Sequence, residues 1–419
     1  MKKKYLAVFL LLVSLCFTAC SLRQGSNMPT DNVYHPETDY PFMYGDAEMY
    51  MAESPDGYYF IDGNFLYFID KETMQAVPLC GKPNCKHQHE MDPAKVADCD
   101  AYMDRSRAGT LLEFLDGHLY ISVIKKLADP DSGMVLLQMK PDGTERKKLA
   151  ELPKTVGEAI LHRGYLYYTA TAFDEELNAR YGIYRQDLNG GEPEMVCEGT
   201  QKNMGHFTGL TAYGNYLFFN EAGVNEENLY WMRAMRCDLK SGEKTEAVIC
   251  PNKKADPMCT SFVNGKVVTA IYHWRDQEDP DNDQYYDFYM TNLDGSNQTE
   301  LELPFDKQDY TWNIGADGKN LWRYTIPWQM KDQSVLQKLD ENYQVIAEYP
   351  DSYGRNSCIL WGGEDYLFLK DNADGEEVLY AIGKNPTDGI LKAQECYRSG
   401  EQSSHVSFNK DSYTEIGDR

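Results

Sequence analysis

One short pattern recurs seven times along the chain: a glycine-centred hinge followed by a run of aromatic and β-branched residues. The copies read SPDGYYFI at 54–61, LDGHLYISVI at 115–124, HRGYLYYTA at 162–170, YGNYLFFN at 213–220, VNGKVVTAI at 263–271, ADGKNLWRYTI at 316–326 and WGGEDYLFL at 361–369. Runs of this composition beside a tight Gly hinge are hairpin signals, because the hinge requires positive φ and the runs suit a half-buried pleated surface. A second hinge follows in several copies, as KPDGTE at 140–145, DLNGGE at 187–192, DLKSGE at 238–243 and NLDGSN at 292–297. Two hairpins per repeat give a four-stranded antiparallel sheet.

Such a sheet alone cannot bury both faces. Seven stacked radially can, and the 45–60 residue spacing of the hinge glycines is the period of propeller blades. The expected fold is therefore an all-β, seven-bladed propeller of four-stranded blades, starting near residue 46. A two-sheet sandwich fits seven equal repeats poorly. The C-terminal stretch SHVSFNKDSYTEI at 404–416 resembles TSFVNGKVVTAI at 260–271, so a tail strand pairing beside the first blade, or an eighth or partial eighth blade, is the alternative.

The N-terminus reads as an address. Lys2-Lys3-Lys4 precedes an apolar run from Leu6 to Phe17, which is short for a bilayer span and ends in Phe17-Thr18-Ala19-Cys20. Small residues before a cysteine resemble a bacterial lipobox, although Phe17 stands where Leu is usual. The expectation is a signal peptide over 1–19, cleavage before Cys20 and a diacylglyceryl group on its thiol. Polar, proline-bearing residues 20–45 then read as a flexible tether, with the propeller filling 46–419. The protein is expected on the extracytoplasmic face of the cell membrane. The formal net charge is −25, and losing residues 1–19 removes three lysines and no acid, giving −28. That surface repels nucleic acid and anionic headgroups, so no nucleic-acid partner is expected.

Of 11 cysteines, Cys16 leaves with the signal and Cys20 carries lipid, leaving nine, an odd number. Cys80, Cys197, Cys250 and Cys396 are each read as closing the last strand of a repeat, where a small apolar residue packs well. Residues 80–102 differ. Here Cys80, Cys85, His87, His89 and Cys99 crowd one long polar connection. Thiolates and imidazoles at short spacing suit Zn²⁺, with Cys80, Cys85, His87 and Cys99 as ligands and His89 as a spare; a disulfide is the rival outside the cytoplasm. Either device would pin the loop.

Other polar features lie in the second-to-third-strand loops, which are long and acidic. Asp279, Asp281 and Asp283 alternate as at the start of a calcium loop, but Gln284 replaces the required Gly and Met290 the closing Glu, so Ca²⁺ is not expected. Trp231, Trp274 and Trp328 flank such acids and could line a rim for a sugar ring or a cationic peptide; rim packing is the plainer reading. No G-x-S-x-G, H-E-x-x-H, P-loop or dinucleotide fingerprint occurs, and no residue is nominated as catalytic.

Taken together, the lipobox at 17–20, the YYFIDGNFLYFIDKETMQAVPLC blade and the LCGKPNCKH…CDAY segment resemble a family of uncharacterised lipoproteins of Gram-positive bacteria. GIYRQDLNGGE and FYMTNLDGSNQTEL are similar to the β-propeller repeats of low-density-lipoprotein-receptor-related proteins. The resemblance implies export and fold and transfers no chemistry. A binding or scaffold module for a glycan, peptide or envelope protein is the expected function. A propeller lyase or glycosidase using loop carboxylates, and a docking subunit of an envelope complex, are the alternatives.

Overall fold

The computed structural model of the protein describes residues 28–44, 50–85, 99–103, 111–126, 129–173, 179–200, 205–224, 230–250, 255–273, 284–306, 312–325, 334–354, 357–373 and 375–399. Seven four-stranded antiparallel sheets occupy 51–78, 112–152, 156–198, 206–246, 255–300, 312–348 and 358–398. They form a seven-bladed β-propeller, with no eighth sheet among the described residues. Every blade is built from four consecutive strands. The tail at 404–416 lies outside the described residues.

The hinges explain the register. Asp116-Gly117, Arg163-Gly164 and Asn264-Gly265 all carry positive φ, 45° and 72°, 49° and 81°, 48° and 72°. Two consecutive positive φ values define a type I′ turn, whose twist matches that of the strands it joins. Gly57 is glycine for a different reason. A Cβ there would fall 2.2 Å from the Ile69 carbonyl oxygen and into the Phe68 ring.

The first strands of successive blades are neighbours, which places them around the axis. Val263 bridges Gly318 in parallel, and the Leu161 N–H donates to Glu113 Oε1 at 2.9 Å. Aromatic residues fill the wedges between blades. Among the described residues the first and last blades exchange no strand, and the ring closes through side-chain contacts. Tyr58 meets Phe368 edge-on at 4.7 Å, and the Tyr397 hydroxyl of the last blade donates to Asp62 of the first at 2.7 Å.

Residues 28–44 of the expected tether are described, and they pack against the ring. The Tyr44 hydroxyl donates to Glu53 at 2.6 Å in the first blade, and Asp116 N–H donates to the Glu37 carbonyl in the second. Asn215 N–H reaches Asn32 in the fourth. Phe42 stacks edge-on with Phe262 in the fifth at 4.9 Å and lies over Gly318 in the sixth, while Tyr44 lies over Gly362 in the seventh. In the third blade Arg163 and His162 hold the segment. All these points lie at or beside the hinge between first and second strands, so the segment covers one mouth of the central channel. Its anchors were present in the sequence as Tyr34, Tyr40, Phe42 and Tyr44, of which Tyr40 and Tyr44 are buried.

His162 makes this plug sensitive to acid. Its Nδ1 accepts the Tyr40 N–H at 3.1 Å, so the proton sits on Nε2, which donates to the Gly214 carbonyl at 2.8 Å. Burial pushes its pKa down from 6.5 to about 4, against the pull of Asp39. The unfolded chain thus binds more protons than the folded one between those values. This contribution is fully present above pH 6.5 and is lost as pH falls towards about 4, with a slope of at most ~1.4 kcal/mol per pH unit. His162→Asn keeps an acceptor and cannot titrate. Its stability-versus-pH profile is expected to be flatter than that of the parent over this window; identical profiles would exclude the effect.

Candidate functional site

The connection from the first blade to the second contains the densest chemistry. After the fourth strand (Ala76–Pro78) the chain continues beside the third: Leu79 N–H donates to the Leu66 carbonyl. Residues 99–103 then return to the same edge. Leu66 N–H donates to the Ala101 carbonyl at 2.8 Å, Met103 N–H donates to the Asn64 carbonyl at 2.6 Å, and Phe65 bridges Tyr102. The return strand meets the place where the outgoing chain ends, so Cys80 and Cys99 face one another. Pro83 and a turn at Cys85, whose N–H donates to the Lys82 carbonyl, fold the third thiol inward.

The Sγ atoms of Cys80, Cys85 and Cys99 all lie within 4.8 Å of one another. They carry thiols; Cys80 and Cys85 are half-buried and Cys99 is buried. Burial pushes the Cys80 thiol up, but the N–H groups of Lys82 and Asp100, then the Cys85 and Cys99 thiols, outweigh it and hold the group below its ordinary value. Burial and the neighbouring Cys85 push Cys99 up to about 12, against the Ala101 N–H. Two cations stand close. Lys82 Nζ is 3.0 Å from Asp100. Arg146, from the third-to-fourth-strand hinge of the second blade, donates to the Asp100 and Gly143 carbonyls. Three sulfurs in one pocket, with N–H donors aimed at anions, can ligate a soft metal ion or exchange to a disulfide.

His87 and His89 lie outside the described residues, as do Cys20, Trp274, Asp279, Asp281, Asp283 and Trp328. Trp231 is half-buried and stacks beneath the Arg233 guanidinium at 5.3 Å. It sits where the second and third strands of the fourth blade project as an arm. Tyr230 beside it and Phe173, at the matching place on the third blade, are 49% and 59% exposed. Met258, at the start of the fifth blade, is also exposed. Sequence reasoning missed Phe173, Tyr230 and Met258, because a hairpin's aromatic run does not announce where it leaves the disc.

Two carboxyls on inner strands are raised by burial, Glu113 and Glu158. Glu158 accepts the Gly209 and Leu210 N–H groups at 3.0 and 2.6 Å. Like Glu113, it ties its strand to the next blade. Both Glu158 oxygens and Glu113 Oε1 accept from neighbouring backbone, a structural use of a carboxyl, while Glu113 Oε2 is buried without a hydrogen-bond partner among the described residues.

No protein-family model matches the chain, and no curated protein matches it. Solved structures do. One is a prolyl endopeptidase, with TM-score 0.50 and 13% identity, covering 87% of this chain and 50% of that one, so the chain spans about half its length. Another is the β-propeller domain of the Trilobed protease from Pyrococcus furiosus, with TM-score 0.45 and 12% identity, covering 69% and 84%. A third is oligogalacturonate lyase from Vibrio parahaemolyticus, with TM-score 0.42 and 14% identity, covering 70% and 79%. At these identities the likeness is one of fold, and the fold is the β-propeller.

Proposed function

We propose that the protein is a lipid-anchored, extracytoplasmic propeller that binds its partner on the face opposite the N-terminal plug. The observation that carries this is the docking of residues 29–44 onto all seven blades. With lipid on Cys20, the eight residues leading to Met28 reach at most ~29 Å. The plugged mouth is then held towards the bilayer, and the arms of the second and third strands point away from it.

The arms have the character of a recognition surface. Phe173, Tyr230 and Trp231 stand on adjoining blades, and the sequence adds acids at 173–182, 221–231 and 273–287. Aromatic faces with carboxylates between them suit a sugar ring or a cationic peptide. The chain after Ala19, displayed to glycan and cationic-peptide arrays, is expected to select one class. Phe173→Ala and Tyr230→Ala should each weaken that binding about tenfold or more, as truncated aromatic anchors do. Ile390→Ala, on a third-to-fourth-strand hinge, should not. Binding indifferent to the arms, or none, would refute the reading.

A further inference from the structure

We propose that Cys80, Cys85 and Cys99 bind one Zn²⁺ as thiolates, in a structural site that fixes the junction of the first two blades. Convergence is the first support: three Sγ atoms within 4.8 Å of one another match the edge of a tetrahedron of sulfurs at Zn–S distances of ~2.3 Å with modest closure. Arrangement of the donors is the second. The Lys82 and Asp100 N–H groups point at Cys80 and the Ala101 N–H at Cys99. Backbone N–H groups aimed at sulfur stabilise thiolates, as outer partners do around a metal. A disulfide would consume two of the sulfurs and leave the third and these donors without a purpose.

Charge is the third. Three thiolates and one Zn²⁺ carry a net −1, and the Arg146 guanidinium interacts electrostatically with Cys80 and Cys99, while Lys82 is paired with Asp100. Packing is the fourth. The cluster packs into the first blade's core with Phe65, Tyr67, Met74, Ala101 and Tyr102, which buries Cys99 and half-buries Cys80 and Cys85. The three thiolates fill three positions of a tetrahedral ion. Binding displaces the thiol protons, so about three protons are released per ion at neutral pH.

The test uses the chain after Ala19, purified reduced and without chelators. One zinc per chain should persist through gel filtration. Co²⁺ in its place should give an intense thiolate charge-transfer band. Cys85→Ser is chosen because Cys85 is only partly buried, so that the variant folds; circular dichroism checks this. It should lower zinc affinity by about 100-fold or more and weaken the cobalt band by about a third, one sulfur of three. Zinc should raise the thermal midpoint of the parent and, at the same concentration, raise that of Cys85→Ser by less. Cys250→Ser, remote from the cluster, should match the parent. A reduced chain that takes up no zinc, or a cobalt band of undiminished intensity in Cys85→Ser, would overturn the site. So would a disulfide among the three cysteines in a protein that, once reduced, still binds no metal.

Discussion

Arg163→Asn is expected to undock residues 28–44 and uncover the mouth of the channel. The Arg163 guanidinium spends all its N–H groups on this one segment and the hinge beneath it. Nε and Nη2 grip the two oxygens of Asp39 at 2.8 and 3.1 Å. Nη1 donates to the Pro29 and Asp31 carbonyls at 2.9 Å and to Asn215 at 2.8 Å, and Nη2 also reaches the Val33 carbonyl. Asp39 is fully buried and Arg163 nearly so. Removing one partner of a buried pair leaves an uncompensated charge, at a cost of ~3–5 kcal/mol. Here Asp39 has an escape, because the segment that carries it can leave the ring and return the carboxylate to water. The loss should therefore appear locally, as detachment, before it appears as unfolding.

Asparagine separates this effect from backbone strain. Arg163 has φ 49° and Gly164 φ 81°, and Asn-Gly is the pair a type I′ turn prefers. The hairpin itself should be unharmed or improved. Hydrogen exchange across 28–44 should accelerate by two orders of magnitude or more, about 3 kcal/mol of lost protection, while the blades stay protected. Limited proteolysis should cut the segment first. A segment that remains protected would show that the aromatic anchors hold it alone.

The architecture was legible because its cause is local and repeated. Asp116-Gly117, Arg163-Gly164 and Asn264-Gly265 announce their turns two residues at a time, and seven copies average out any single ambiguous run. The thiol cluster was legible for a similar reason, since Cys80, Cys85 and Cys99 lie within twenty residues and a return strand needs little to bring them together. The plug was not legible. Asp39 and Arg163 are 124 positions apart, and nothing in a polar, proline-bearing segment says that its few aromatics fit between hinges of a ring that has first to form. Arg163 itself reads as an ordinary turn residue, and its partners are mostly carbonyls, which carry no sequence signature. The same holds for Phe173 and Tyr230, whose exposure depends on how far a hairpin overshoots the disc.

The second large effect belongs to another pairing invisible in sequence, Lys384 with Asp317. Lys384 Nζ lies 2.8 Å from Asp317 Oδ2 and donates to the Gly363 carbonyl at 2.7 Å. Both side chains are essentially sealed from solvent, at 2% and 1% exposure. Asp317 also accepts the Asn320 N–H at 2.6 Å and the Trp322 indole N–H at 2.9 Å. Burial pushes its carboxyl up, but Lys384 and these donors outweigh that and hold it below the usual carboxylate range. The pair locks the hinge of the sixth blade to two hinges of the seventh, and unlike Asp39 neither partner can swing out to water. Lys384→Met, of similar shape, should cost ~3–5 kcal/mol of global stability, because Asp317 and the Gly363 carbonyl stay buried without their cation. Asp317→Asn in the same chain removes the orphaned charge and should restore at least ~1.5 kcal/mol of that loss. Denaturant titration of the two single variants and the double variant measures the coupling directly. Additive losses would mean that Lys338, whose Nζ donates to the Lys384 carbonyl at 3.1 Å and to Asn385 at 2.8 Å, already neutralises the carboxylate when Lys384 is gone.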